Sequence, residues 1–363
     1  MTKKLKMPLV GGIVAILALA LVQLGNPANM GLCIACFLRD AAGAVGLHST
    51  ATVQYLRPEI IGIILGAFAL SLARREFSPK GGSAPVTRFV LGFAVMVGAL
   101  IFLGCPLRMV LRIAGGDLNA VVGLVGFAAG IFGGIFFLKK GYTLKRSYDV
   151  SKTDGTLFPT IALILLGLLL FVPSLLSFST EGPGSMRAPI WASLIAGLVV
   201  GGVGFVSRLC FVAGIRDSVL FKKYSMLAAF VAIIVVGVIG NLILGKFHLS
   251  FANQPIAHTD GIWNFLGMLL VGLGSVLLGG CPFRQMVLAG SGNSDSIVAI
   301  FGMVAGAAFA QNFKMASSAA GVTTNGKIGF AIVFVIVICI AVYNTFGKKI
   351  FGKKKVGEEL ENA

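Results

Sequence analysis

Two stretches decide how this chain folds: GCPLRMVLRIAGGDLNA at 104–120 and GCPFRQMVLAGSGNSDS at 280–296. The second restates the first 176 positions later, and nine of 27 positions are identical over 104–130 and 280–306 without a gap. The identities are Gly104, Cys105, Pro106, Arg108, Gly116, Val122, Gly126, Ala129 and Gly130, matched by Gly280, Cys281, Pro282, Arg284, Gly292, Val298, Gly302, Ala305 and Gly306. A second pair lies upstream. GLCIACFLRDA (31–41) matches RLCFVAGIRDS (208–218) at Leu32, Cys33, Arg39 and Asp40. Cys33 and Cys105 are 72 positions apart, and Cys210 and Cys281 are 71 apart. Shared order, residue types and spacing mark an internal duplication.

The chain around these motifs is too apolar for a water-soluble domain: 57% of its 363 residues are hydrophobic and 12% are charged. Apolar runs such as 8–25, 161–176 and 328–342 approach the roughly 20 residues needed to cross a bilayer core. The expected fold class is therefore an all-α polytopic membrane protein. Ten spans are expected near 8–25, 58–73, 88–104, 118–138, 157–176, 190–206, 225–243, 263–279, 295–311 and 328–346. The first run follows a basic segment, MTKKLK, yet no A-x-A-like cleavage site follows it, so it reads as a retained helix.

The net charge of +17 would suit a nucleic-acid binder, but the basic residues lie between apolar spans and not on one soluble face. With the N-terminus inside, 22 of the 30 Lys and Arg fall in segments on the inner side, a positive-inside bias. Both termini are then expected in the cytoplasm, and the protein in the cell (inner) membrane. The expected organisation is a first repeat over 1–138, a basic linker with a connecting span over 139–189, a second repeat over 190–311, and an extra span with a basic tail over 312–363. An odd number of spans separates the halves, so spans 1–4 and 6–9 should be oppositely oriented. Such an inverted repeat is common among transporters, with the substrate path at the repeat interface.

The segments CPLRMVLRIAGGD and CPFRQMVLAGSGN are too short to cross and too apolar for a water loop. They read as short re-entrant helices enclosed by protein. Pro106 and Pro282 suit a first helical position. Cys105 and Cys281 then cap the helices, where free N–H groups and the positive dipole end favour an anion. Arg108 and Arg284 follow one turn later. GLCIACFL and RLCFVAG dip in the same way, which would align Cys33, Cys105, Cys210 and Cys281 along one axis. Thiols are soft, weak donors, matched to a sulfur or selenium atom on a small anion. The plain alternative is that a membrane-helix cysteine is a small packing residue, as expected for Cys339. Arg39 with Asp40, and Arg216 with Asp217, suit ion pairing across helices as well as substrate contact. His48, His248 and His258 match no repeat and are expected to be solvated in outer loops.

The four quoted motifs resemble the YeeE/YedE family of sulfur-compound and thiosulfate membrane transporters, most closely its YedE branch, associated with selenium metabolism. The resemblance covers nearly the whole chain. It implies an hourglass of inverted repeats with re-entrant helices, import of a small sulfur- or selenium-containing anion, and passage of that anion by S–H···S hydrogen bonds. It implies pore thiols at Cys33, Cys105 and Cys281, with Cys210 as the symmetric fourth. No cofactor, metal or enzymatic activity is implied, and no nucleic-acid partner. The partners expected are the anion, the lipid bilayer and, as an option, a cytoplasmic sulfur- or selenium-carrier protein. Two other classes stay open. Cys33-Ile-Ala-Cys36 is a C-x-x-C that would suit a membrane thiol-disulfide oxidoreductase. Six cysteines would suit a soft-metal carrier, though arginines along the path would repel cations.

Overall fold

The computed structural model describes residues 6–347 in full and the backbone alone over 348–361. The basic residues Lys3 and Lys4 and the final residues 362–363, on which part of the expectation for the termini rests, lie outside the described residues. The chain is an all-α polytopic membrane protein. Its helices are α1 Met7–Gln23, α2 Ile34–Ala44, α3 Pro58–Ala73, α4 Pro85–Phe102, α5 Pro106–Ala114, α6 Leu118–Lys139, α7 Lys152–Phe171, α8 Ile190–Ser207, α9 Phe211–Phe221, α10 Ser225–Ile243, α11 Gly261–Leu278, α12 Pro282–Gly290, α13 Ser294–Asn312 and α14 Thr324–Glu361. Among the described residues, nine helical stretches are long and apolar enough to cross a membrane, and α1 is an apolar helix of 17 residues. The expected spans shift by a few residues: α7 starts at Lys152 and not near 157, capped by the Ser151 side chain accepting from Asp154 N–H. The only sheet among the described residues pairs β1 (Lys80–Gly81) with β2 (Tyr148–Asp149) in antiparallel register.

Each half runs long, short, long, long, short, long: α1–α6 and then α8–α13, with α7 between them. The packing obeys the same correspondence. Helix α3 lies on α8, and the exchanged pair α10 lies on α1. Helix α6 lies on α11, and α13 on α4; α5 lies on α10, and α12 on α3. One pair of contacts shows how the sequence enforces this. A Cβ on Gly126 would sit 2.1 Å from the carbonyl oxygen of Phe265, and a Cβ on Gly302 would sit 2.1 Å from that of Phe89. Gly126 and Gly302 are repeat equivalents, as are Phe89 and Phe265, so each half supplies the notch for the other's backbone. Only glycine permits that approach, as in close helix packing within membranes.

The connecting segments divide into two groups. On one rim, Ser83 N–H donates to Asp295 Oδ1 at 3.0 Å, Ser147 Oγ to Asp295 Oδ2 at 2.7 Å, and Lys80 bridges to Asn293. On the other, Asp117 bridges to Ser250, and Arg57 donates to the carbonyls of Met186 and Pro183 at 3.0 and 2.8 Å. There too Gln54 N–H donates to Ser179 Oγ at 2.7 Å and Ala188 N–H to Asn26 Oδ1 at 2.9 Å. The chain before α2 (Asn26) and after it (Gln54, Arg57) therefore meets the same 179–188 segment.

Candidate functional site

Four short helices start on cysteine. Cys33 caps α2, Cys105 caps α5, Cys210 caps α9 and Cys281 caps α12. All four residues are extended in backbone, so each sulfur stands at the first turn, where three or four N–H groups lack helical partners. Cys33 Sγ accepts from Cys36 N–H at 3.3 Å, a side-chain cap made by sulfur in place of the usual oxygen. Pro106 and Pro282 occupy the first helical turn, where a missing N–H costs no hydrogen bond. Behind them the GGD and SGN turns each end one helix and start the next. Gly116 and Gly292 take φ values of +91° and +99°, and the Asp117 and Asn293 side chains accept from Asn119 and Ser296 N–H at 2.9 and 2.8 Å. Repeated sequence thus fixes the angle between each short helix and the following span.

The caps meet in pairs. Cys33 Sγ lies 3.9 Å from Cys105 Sγ, within hydrogen-bonding range for sulfur. The Cys210 and Cys281 thiols are electrostatic neighbours in the second half, without the sulfur–sulfur hydrogen bond that joins Cys33 to Cys105. All four are buried, and all six cysteines are free. Cys36 is also buried and packs its sulfur against Arg108, whose Nη1 donates to it at 3.5 Å. Cys339 corrects the expectation of a packing residue: it is exposed on α14, facing outward from the bundle.

The charged residues sort differently from their symmetric appearance in the sequence. Arg108 is wholly buried; it donates to Cys36, to the carbonyls of Asn29 (3.3 Å) and Ile256 (3.0 Å), and to that of Leu103. It folds over Gly104, where a Cβ would lie 3.0 Å from its Cδ. Arg284 folds over Gly280 in the same way, yet is only half-buried. Asp40 accepts from Arg39 at 3.0 and 2.7 Å and from Arg57 Nε at 2.9 Å, a buried three-residue cluster. Arg216 and Asp217 pair at 2.8 Å with nearly a quarter of each side chain exposed. Arg39 also faces a cavity of about 640 Å³ that is lined in addition by Leu103, Ile256, Asn312 and Lys314.

Sequence reasoning missed several of these groups. Arg57 belongs to no repeated motif. Arg112 donates to Asp117 at 2.7 Å and stacks 4.2 Å over Phe102, tying α5 to α6; its i, i+5 spacing to an acidic cap was the available signal. The histidines correct an expectation in part. His248 is exposed, but His48 and His258 are 3% and 1% exposed, with Nε2 at 2.9 and 2.8 Å from the carbonyl oxygens of Arg39 and Ile101. Each ring ties a connecting loop to a helix, His48 to α2 and His258 to α4. Burial pushes both imidazoles below their ordinary value, against the opposing pull of the carbonyl contact.

Residues 206–351 match the family model described as Sulphur transport. That range contains the second half's motifs, from Cys210 through Cys281 and Arg284 to α14, and none of the first half's. A comparison with curated proteins gave no match. The first half is tied to the matched region by its own repeat, through Cys105, Pro106 and Arg108.

Proposed function

We propose that the chain is a transporter, in the inward direction, for a small sulfur-containing anion of the thiosulfate type, and for its selenium counterparts. The observation that carries this is the approach of two cysteine caps, Cys33 and Cys105 at 3.9 Å, with Cys210 and Cys281 as electrostatic neighbours in the second half. Each pair presents two soft donors at two helix N-termini, where an anion is stabilised by free N–H groups. A terminal sulfur accepts weakly from a thiol, so it can be held by one pair and released to the next without a deep trap. A selenium atom is softer and fits the same donors. The family match supports the sulfur substrate; the selenium extension stands on the resemblance of the motifs alone.

In this reading α2, α5, α9 and α12 are re-entrant, and α1–α6 and α8–α13 form an inverted repeat. The exchanged packing and the return of both ends of α2 to one rim support it. The organisation into segments 1–138, 139–189, 190–311 and 312–363 follows from it. The basic segments support an inner-membrane protein with the 74–84 and 140–151 loops in the cytoplasm. A cytoplasmic acceptor for the sulfur or selenium fits this direction. A thiol-disulfide oxidoreductase built on Cys33 and Cys36 is disfavoured by burial: both are 0% exposed, out of reach of a protein substrate. The protein is therefore read as a non-enzyme.

Uptake of radiolabelled thiosulfate and selenite into cells lacking their own carriers tests the reading, with surface levels checked. Wild type should accumulate label, and Cys105→Ala and Cys281→Ala should each abolish it. Uptake untouched by both substitutions would reduce the cysteines to packing.

A further inference from the structure

The two Cys-Pro-x-Arg motifs are equivalent in sequence but not in what their arginines do. Arg108 is held by backbone carbonyls on three segments and by Cys36. The Arg284 side chain has no hydrogen bond or ion pair to any of the described residues, although it sits on the first turn of α12. In the first half, the turn before the cysteine offers the Leu103 carbonyl, and Arg108 covers it. In the second half, the corresponding turn is covered by Gln285, whose Nε2 lies 3.4 Å from both the Leu278 and the Gly280 carbonyl oxygens. Arg88 also donates to the Leu278 carbonyl, at 3.3 Å. The repeat equivalent of Gln285 is Met109, which cannot donate. The repeat equivalent of Leu103 is Gly279, whose carbonyl accepts from no side chain among the described residues, so Gln285 braces the turn from beside Arg284 without replacing the Arg108 contact.

The Arg284 side chain folds back over Gly280, next to the Cys281 cap of α12, where its charge acts on both Cys210 and Cys281. A half-buried cation without a protein partner requires an anion or water, and two helix N-termini point at the same place. We infer that Arg284 is the charge-selecting residue of the path: it pairs with the anionic oxygens of the substrate while its sulfur rests on Cys210 and Cys281. Arg108, by contrast, is a scaffold residue that holds α5 in place. The path is therefore functionally asymmetric, with the charge-selecting contact in its second half. This inference rests on the transport reading above.

The test uses purified full-length protein and thiosulfate, read by equilibrium binding in detergent and by flux in proteoliposomes. A charge-assisted contact of this kind corresponds to about 10- to 150-fold in affinity. Arg284→Gln should weaken thiosulfate binding and raise KM by that factor, with the maximal rate changed far less and the melting temperature unchanged. Arg284→Lys should recover most of the loss, and it keeps the test alive if the glutamine variant aggregates. Wild-type binding of thiosulfate with full affinity by Arg284→Gln, or equal weakening by Gln and Lys, overturns the inference. The two claims fail separately. Thiosulfate flux that Arg284→Gln leaves intact removes the arginine's role and keeps the transporter. Arginine-dependent binding without flux keeps the site and removes transport.

Discussion

Asp40 and Asp217 occupy equivalent positions in the repeat, and the structure gives them different weights. Asp40 is 0% exposed and holds two guanidiniums, Arg39 (3% exposed) and Arg57 (0%). Arg57 in turn fastens the 183–186 segment through two carbonyls. Asp40→Asn removes the single negative charge of that cluster and leaves two buried cations facing an amide. Breaking a buried pair in this way costs about 3–5 kcal/mol, which is two to nearly four powers of ten in the folding equilibrium. Asp217 has one partner and is 24% exposed, so Asp217→Asn should cost ~0–1 kcal/mol. Thermal unfolding in detergent, followed by size-exclusion chromatography, separates these cases. Asp40→Asn should lower the melting temperature by roughly 5–10 °C and Asp217→Asn by no more than about 2 °C. Equal shifts for the two variants would refute the claim that the cluster, and not the Arg-Asp motif itself, secures the first half.

Three further outcomes are expected. Replacing Gly126 or Gly302 by Val places atoms within 2.1 Å of the Phe265 or Phe89 carbonyl and should cost more than about 3 kcal/mol, read as lost monodisperse protein, whereas Gly167→Ala, with open space around it, should be neutral or stabilising. A mild oxidant such as diamide should link Cys33 to Cys105 and stop uptake, with dithiothreitol restoring it; mass spectrometry of the peptides checks the pairing. Because His48 and His258 have depressed values when folded, the unfolded chain binds more protons at low pH. Stability should be full above pH ~6.5 and fall as pH drops below it, with Arg39 and Asp40 facing His48 and Arg112, Asp117 and Asp260 facing His258; pH-dependent melting of wild type against His48→Gln and His258→Gln reads this.

The fold was legible because two signals coincide: apolar length gives the spans, and the repeated Cys-Pro-x-Arg with its glycine turn gives the short helices and their order. Backbone chemistry explains that success, since a Pro at the first turn and a Gly with positive φ after the last constrain a nine-residue helix almost completely. Side-chain partnership was not legible. Arg108 and Arg284 look alike in sequence, and their difference lies in the carbonyls of Asn29, Leu103 and Ile256 that the assembled fold presents to Arg108 and not to Arg284. Arg57 acquires its role from Asp40, 17 residues away, and from carbonyls more than 120 residues away. His48 and His258 were read as solvated because a loop histidine usually is. Their burial depends on carbonyls that only the assembled bundle presents.

The central claim is that both cysteine pairs form one path. Flux of labelled thiosulfate into proteoliposomes of purified protein tests it most directly, comparing wild type with Cys33→Ala/Cys105→Ala and with Cys210→Ala/Cys281→Ala. The account predicts that either double variant, folded and monodisperse, carries no flux above empty liposomes. Flux at the wild-type rate with either pair removed would contradict it.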